Sequence, residues 1–253
     1  MLPIYSSSVS GMESSQQVLN ITSNNIANVD TFGFDASDPI VTDLIYQGVD
    51  PRNLVNTTYA NTSAIGVGSQ LQSTSHAQIP GSPVATGNPL DVTIGGDGYF
   101  QTLQPSGTLG YTRLGSLRFD GAGKLNINGA LVQPPITLPS GASEVTVTSA
   151  GEITAQVNGQ QQNIGQLQLA RFINPQGLSA VGSTTYAATV DSGAPITGAP
   201  FQNGFGGLIP NTLEAPRVDL SKEMANMIVS ERSFQLNAQS LQTINAMLAE
   251  ITH

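Results

Sequence analysis

Residues 219–251 read DLSKEMANMIVSERSFQLNAQSLQTINAMLAEI, and this stretch decides the fold. Stepping by four and three from Leu220 reaches Met224, Met227, Glu231, Phe234, Ala238, Leu241, Asn245 and Leu248. Seven of these nine positions are apolar, and Glu231 and Asn245 break the run. Alternating steps of three and four mark a coiled-coil seam rather than a broad core-facing stripe. The start of the helix is signalled too. Pro216 ends what precedes it, Asp219 can cap, and Glu223 falls in the first turn, where the helix dipole favours negative charge. No charged residue occurs from Ser233 to Ala249, yet Gln, Asn, Ser and Thr recur there, so the stretch is too polar to span a bilayer. A helix this neutral, apolar on one thin edge, needs a partner helix.

The other end of the chain offers that partner. Tyr5, Val9, Met12, Gln16, Leu19, Ser23 and Ile26 keep the same spacing, with Pro3 placed for a first turn. Two terminal helices that bracket everything else would bring the chain ends together. The plainer alternative is two helices packed on a globular core, but a core-facing helix shows a wider apolar stripe than either of these.

The bulk composition narrows the function. The 253 residues suffice for one large domain or two modest ones. A net charge of -9 with only eight Lys and Arg argues against nucleic-acid binding. Charged residues make up 10% of the chain, well below the usual share of about a quarter, which suits a surface that packs against copies of itself. Cysteine is absent, which removes disulfides and thiolate chemistry. No basic residue precedes Arg52, so the start does not match a cleaved secretory signal, and no apolar run is long enough to insert in a membrane.

After the first helix comes Asn24-Asn25-Ile26-Ala27-Asn28-Val29-Asp30-Thr31-Phe32-Gly33-Phe34, whose Asn/Asp cluster and Gly33 end the helix and turn the chain. This run resembles the N-terminal signature of the bacterial flagellar rod and hook family, an Asn-Asn-x-Ala-Asn element leading into Thr-x-Gly-aromatic; Asn24, Asn25, Ala27, Asn28, Thr31 and Gly33 carry it. Val218 to Met224 and Arg232 to Asn237 resemble the same family's C-terminal elements, Val-Asp-Leu-x-x-Glu-Met and Arg-x-aromatic-x-x-Asn, through Glu223, Met224, Arg232 and Asn237. Asp43-Leu44-Ile45-Tyr46-Gln47, followed by an extra stretch ending at Gly66-Val67-Gly68, resembles the distal-rod branch of that family. Two departures occur. The family usually has a basic residue after its Gly-aromatic pair, where this chain has Asp35. It commonly has Glu-x-Ser-Asn before the last helix, where this chain has Glu214-Ala215-Pro216-Arg217.

Residues 39–75 read as an extended loop or a long irregular hairpin, too long to be an ordinary connection. From Leu90 to Phe172 the turn pairs Asp97-Gly98, Asp120-Gly121, Asn128-Gly129 and Asn158-Gly159 separate short strand-like runs at Tyr99–Leu103, Tyr111–Phe119 and Glu144–Thr148. In the last, Val145 and Val147 share a face. The Gly95-Gly96-Asp97-Gly98 segment lacks the Lys-Ser/Thr of a phosphate loop and reads as a hairpin turn. The Gly- and Pro-rich stretch from Asn174 to Pro210 reads as a return path to the last helix.

No catalytic set emerges. The two His are His76, in a Ser/Thr-rich loop, and His253 at the end. Asp43, Asp91 and Asp97 form neither a paired-carboxylate arrangement nor a calcium loop. Arg113 and Arg232 are candidates for a structural or intersubunit ion pair. Neither enzymatic activity nor a cofactor or metal site is expected.

The expected fold is therefore α+β: paired long terminal helices, coiled-coil-like, with an inserted antiparallel β-rich domain. The expected parts are an axial core of 1–34 with 217–253, connectors at 35–89 and 173–216, and a β-rich middle at 90–172. The seam residues expected to drive assembly are Val9, Met12, Leu19, Ile26, Leu220, Met224, Met227, Phe234, Leu241 and Leu248. The resemblance implies a structural subunit of the flagellar distal rod, a homopolymer built head to tail. It implies proximal rod proteins below, hook protein above, surrounding bushing rings, and passage through the flagellar export apparatus. The alternatives are a proximal rod or hook subunit and, from another class, a β-rich adhesin.

Overall fold

The structure, a computed structural model, describes residues 3–44, 47–48, 64–76 and 80–251. The chain divides into two compact units, one taking in Met1–Ala27, Ser37–His76 and Val218–His253, the other Asn28–Ala36 and Ala77–Arg217. Two long helices and a β-rich body make the fold α+β, as expected.

The first unit is built on α1 (Pro3–Ala27) and α2 (Leu220–Ile251), which pack on each other. Asp219 caps α2 as its position suggests: its Oδ1 accepts the backbone N–H groups of Ser221 at 3.0 Å and Lys222 at 3.1 Å. Beside the helices lie β1 (Ser37–Asp43), β2 (Gln47–Gly48), β3 (Ala64–Ile65) and β4 (Ser69–His76). β1 and β4 are antiparallel, from Ser37 opposite His76 to Asp43 opposite Ser69, with an irregularity between Ile40 and Val41. β2 pairs with β3 in the same sense. The hairpin reading of 39–75 therefore holds for its described part; Ile45, Tyr46 and residues 49–63 lie outside the described residues, as do 77–79 and His253.

The second unit holds β5 (Pro83–Ala85), β6 (Val92–Gly95), β7 (Tyr99–Leu103), β8 (Leu109–Thr112), β9 (Leu117–Phe119), β10 (Leu125–Ile127), β11 (Ala130–Val132) and β12 (Ala142–Val147). It continues with β13 (Glu152–Val157), β14 (Gln160–Gln166), β15 (Leu169–Arg171), β16 (Ser179–Gly182), β17 (Thr185–Ala187), β18 (Ile196–Gly198), β19 (Gly207–Pro210) and β20 (Thr212–Glu214). The main sheet runs β16-β17-β8-β7-β11-β10-β9, and β15 joins β7 to β18. β12, β13 and β14 form a meander, while β6 pairs β19 and β5 pairs β20.

The Asn-Gly pairs behave as their chemistry demands. Asn128 and Gly129 have φ of 50° and 84°, and Asn158 and Gly159 have 52° and 79°, so both make two-residue turns with left-handed backbone at each centre. They close β10–β11 and β13–β14. Two other readings are corrected. Gly95–Gly98 is no hairpin turn: β6 pairs with β19 while β7 pairs with β8, so the loop carries the chain from one sheet to another. Tyr111–Phe119 is not one strand. Gly115 lies so close to Val92 that a Cβ would overlap its carbonyl oxygen, and Val92 N–H donates to Gly115 O at 3.0 Å, which interrupts the run between β8 and β9.

The main core of this unit brings Val92, Ile94, Phe100, Leu117, Leu125, Val132, Ile153, Leu167 and Leu169 together, all 0 or 1% exposed. Each such side chain contributes about 1.5–3 kcal/mol on removal from water. Val147 is buried in the same cluster and Val145 packs on it. A second cluster is aromatic: Tyr111 meets Phe172 edge-on at 4.7 Å, and Tyr99 meets both Phe172 and Tyr186 at 6.1 Å.

Candidate functional site

The candidate site is the helix pair with the turns that anchor its ends. Gly11 lies against Asn237; a Cβ at Gly11 would stand 2.7 Å from the Asn237 amide nitrogen. Near the other end of α1, Asn25 holds Ser37, and Asp38 next to it binds Lys222. Residue 11 level with 237 and 25 near 222 makes the helices antiparallel.

The inner face of the pair alternates polar residues with larger apolar ones. On α1 the buried residues include Ser8, Ser15 and Thr22, at 7, 9 and 0% exposure; with half-buried Met12, Leu19 and Ile26 they step by four and three. On α2 Glu223 and Ser230 are buried, and Met227, Phe234, Asn237, Leu241 and Ile244 are half-buried, again in steps of four and three. This stripe shares Met12, Leu19, Ile26, Met227, Phe234 and Leu241 with the expected seam. At alternate positions it falls one residue earlier, on Ser8 rather than Val9 and on Glu223 rather than Met224. Val9, Leu220, Met224 and Leu248 remain exposed, at 37, 41, 53 and 39%. The hydroxyls inside the stripe bond locally: Ser15 Oγ donates to Gly11 O at 2.7 Å, while Thr22 Oγ1 has no partner among the described residues.

Asn25, fully buried at the end of α1, grips the start of β1 with both ends of its amide. Its Nδ2 donates to Ser37 O at 2.9 Å, and its Oδ1 accepts Ser37 N–H at 3.0 Å. Asn24 is exposed beside it and lines a hollow with Asn20, Ile21, Ser37 and Thr74. Ala27, also exposed, is the last residue of α1. Lys222 and Asp38 pair at 2.7 Å on the surface, and the bond to Asp38 raises the Lys222 pKa.

The rest of the motif folds into the second unit. Thr31 N–H donates to Asn28 O at 3.0 Å and Thr31 Oγ1 bonds Asn28 Oδ1 at 3.1 Å, which closes the turn. Gly33 has φ of 70° and faces the Leu114 backbone, where a Cβ would stand at 3.0 Å; both facts require glycine. Gly33 N–H donates to Glu214 O at 2.9 Å and Arg217 N–H to Phe34 O at 3.1 Å, laying the motif alongside the chain that leaves β20. The two departures from the family pattern meet here: Arg217 Nη2 donates to Asp35 Oδ1.

Arg113 organises the same region. Its Nε binds both oxygens of Glu214, at 3.1 and 2.8 Å, while Nη1 and Nη2 reach the carbonyls of Ile94, Gly96 and Gly98 at 2.9 to 3.3 Å. Glu214 is 4% exposed and also accepts Gly81 N–H at 2.6 Å. Of the two arginines singled out in the sequence, Arg113 is thus a structural ion-pair residue. Arg232 stands exposed on α2, 3.5 Å from Gln235. Glu214 and Asn25 could be suspected from their motifs, but their partners could not.

Among the described residues no three His, Cys, Asp or Glu side chains converge as metal ligands. Asp91 is tied to Thr86 Oγ1 at 2.7 Å and Asn88 Nδ2 at 2.9 Å, which fixes the loop before β6. His76 Nδ1 lies 3.5 Å from Ser37 Oγ at the open end of the β1–β4 hairpin.

Comparison with known proteins finds three family models along the chain. "Flagella basal body rod protein" matches residues 6–34, "Flagellar hook protein FlgE/F/G D1 domain" 93–155, and "Flagellar basal body rod FlgEFG protein C-terminal" 209–252. The chain is 35% identical over 246 residues to the flagellar basal-body rod protein FlgG of Caulobacter vibrioides, covering 94% of each chain. The chain belongs to the flagellar basal-body rod protein family. It is 35% identical to the FlgG of Buchnera aphidicola subsp. Acyrthosiphon pisum over 258 residues, covering 100% of this chain and 99% of the relative. It is 32% identical to the FlgG of Bacillus subtilis over 266 residues, with the same coverage. A 45% match to the flagellar hook protein FlgE of Salmonella typhimurium spans 91 residues, 36% of this chain and 23% of that one. Within a rod protein the geometry above has a plain meaning: the chain is a structural subunit of the flagellar basal body, and its matched ends are the helix pair and its anchoring turns.

Proposed function

We infer that the chain forms the distal rod: copies assemble head to tail into a helical hollow tube that carries torque from motor to hook. One observation carries this. The inner face of the helix pair mixes polar with half-buried apolar residues, while Leu220, Met224, Ile228, Val229, Leu236 and Met247 stand 41 to 65% exposed on α2. An isolated protein gains nothing from that arrangement; a helix that must pack on neighbours as well as on α1 needs it. The outer apolar edges, with Val9 and Tyr5 on α1, would zip into coiled-coil-like contacts between copies and close the wall of the tube. Contacts that repeat head to tail generate an open filament. On this reading the terminal helices, 1–34 with 217–253, line the axis and the β-rich middle, 90–172, lies outside. The flanking partners are proximal rod proteins below and hook protein above, inside the bushing rings, after passage through the export apparatus.

The test uses Met224→Asp, at a residue 53% exposed on α2. Cells that lack their own rod protein should regain motility with the unsubstituted chain and remain non-motile with the variant, although both are exported. Full motility with Met224→Asp would overturn the outward-edge reading. The 91-residue likeness to a hook protein supports a second axial reading. Electron microscopy separates the two, since a straight tube is rod and a curved one is hook.

A further inference from the structure

We infer that in the assembled rod a second copy of the chain docks an acidic part of its β-rich unit on the surface patch of Phe201 and Arg171. The inference deepens the rod-subunit reading above and rests on it. Phe201 is 67% exposed in the loop between β18 and β19. Its φ is 63°, a left-handed backbone that a bulky side chain rarely adopts. The ring rests on Gly207, where a Cβ would overlap it. Gly207 pairs with Gly95 across β19 and β6, and Gly95 is covered by Ile209, itself 37% exposed. Two facing glycines thus form a floor for Phe201 and Ile209, whose outer surfaces meet water. A strained backbone that holds an apolar ring in solvent gains nothing for one copy. Such strain persists where the surroundings impose it, and it concentrates at binding sites.

The same loop holds a cation. Arg171, half-buried on β15, sets its guanidinium 5.6 Å from the ring centre of Phe205, with Nη1 against Gly204. Among the described residues no carboxylate forms an ion pair with Arg171; Asp97 lines the same hollow without reaching it. Opposite Arg171 in the register stands Ile196, 45% exposed on β18, a strand paired only with β15 among the described residues. Arginine and aromatic side chains are the types that most often anchor protein interfaces.

Charge identifies the occupant. What covers this patch must bring carboxylates, and the chain carries 17 Asp and Glu against eight Lys and Arg. In the β-rich unit Glu144 and Glu152 are exposed and form no ion pair among the described residues. A second copy is therefore complementary to the patch, although two whole copies repel each other. Glu144 and Glu152 belong to the β12–β14 meander, a different sheet from β15 and β18. The contact thus joins unlike surfaces, the kind that extends a filament rather than closing a dimer.

Photocrosslinking tests the patch. Cells that lack their own rod protein are given the chain with p-benzoylphenylalanine in place of Phe201, and their rods are purified, irradiated and blotted for the chain. A product at twice the subunit mass is expected. Assembled rods that give no product, or only one with a protein of another mass, overturn the second-copy contact and leave the rod reading standing. If this variant builds no rod, the probe moves to Ile209, with the same outcomes. Charge gives an independent arm. Rods per cell should fall at least tenfold with Arg171→Glu, less with Arg171→Gln and little with Arg171→Lys. Equal numbers in Arg171→Gln and Arg171→Lys, with the urea midpoints of both purified chains unchanged, would overturn the acidic partner. Cells that build no rod with the unsubstituted chain would remove the rod reading, and this contact with it.

Discussion

Asp35 and Arg217, 182 residues apart in the chain, are joined as an ion pair and as neighbours in a parallel bridge. The first follows the turn that ends the N-terminal motif, and the second lies three residues before α2 begins. Their side chains are 19 and 18% exposed, so water weakens the pair only in part. Each lies in one of the two stretches where the chain departs from the pattern of its family. Arg217→Ala should lower the stability of the β-rich unit by about 1.5–3 kcal/mol, the range for a hydrogen bond to a charged group. Asp35→Arg should cost more through repulsion, and Asp35→Arg with Arg217→Asp should recover most of the loss. Urea midpoints of the three variants test this, and a double exchange no better than Asp35→Arg alone would show that the residues do not interact.

Arg113→Lys should be as damaging as a change to a neutral residue. Lysine keeps the charge but cannot bond Glu214 while also serving the carbonyls of Ile94, Gly96 and Gly98. Glu214, at 4% exposure, would be left under-bonded. The expected loss is about 2–3 kcal/mol, or roughly 5–10 °C in the melting temperature of a unit this size. Calorimetry of the full chain reads it directly, and a shift below a degree or two would mean that charge alone matters at this position.

Two buried tyrosines and the half-buried Tyr99 give the β-rich unit an alkaline limit. Burial pushes the phenols of Tyr99, Tyr111 and Tyr186 above their ordinary value of 10.0, and for Tyr99 the nearby Arg113 opposes that rise. A group whose folded pKa is raised contributes stability that is present below its unfolded pKa and lost as pH climbs toward the folded one. Stability should therefore be flat through neutral pH and fall above about pH 10. Tyrosinate absorbance should show the phenols of Tyr99, Tyr111 and Tyr186 ionising together with unfolding. Tyr186→Phe should move the midpoint of that fall upward.

The helices were legible because the spacing of Met12, Leu19, Met227, Phe234 and Leu241 persists over many turns and Asp219 is a strong cap. The Asn128-Gly129 and Asn158-Gly159 turns were legible because few residues other than Asn and Gly tolerate their backbone. Which side of each helix faces the other was not legible. The inner positions Ser8, Ser15, Thr22 and Ser230 are small and polar, so hydropathy could not separate them from surface residues, and close helix approach at Gly11 chose them instead. The break at Gly115 was equally hidden, since it arises from Val92, a residue far enough away in sequence that no local pattern records it. The pairing of Asp35 with Arg217 and of Arg113 with Glu214 depends wholly on tertiary placement.

Thr93 is a place where one atom works against the fold. It is 1% exposed in β6, and its Oγ1 has no hydrogen-bond partner among the described residues. Thr93→Val keeps the shape and removes the orphan hydroxyl, so it should raise stability by up to about 1 kcal/mol. Denaturant titration of the full chain measures this. A loss instead would place a bound water on that hydroxyl.

The helix pair should be the weaker of the two units. Its stripe holds Ser8, Ser15, Thr22, Glu223 and Ser230 where the β-rich unit holds Phe100, Leu117, Leu125, Ile153 and Leu169. Apolar burial drives most of folding, and helices in proteins depend on tertiary packing more than on propensity. Helical circular dichroism of the dilute monomer should therefore melt below the β-rich unit, and polymer should raise that first transition by mass action. Leu241→Asp sharpens the test, because this half-buried residue lies in the seam. The variant should lose the first transition and polymer formation while the second transition keeps its midpoint. One cooperative transition in the unsubstituted monomer, or a Leu241→Asp chain that still polymerises, would mean that the helices are held by something other than this seam.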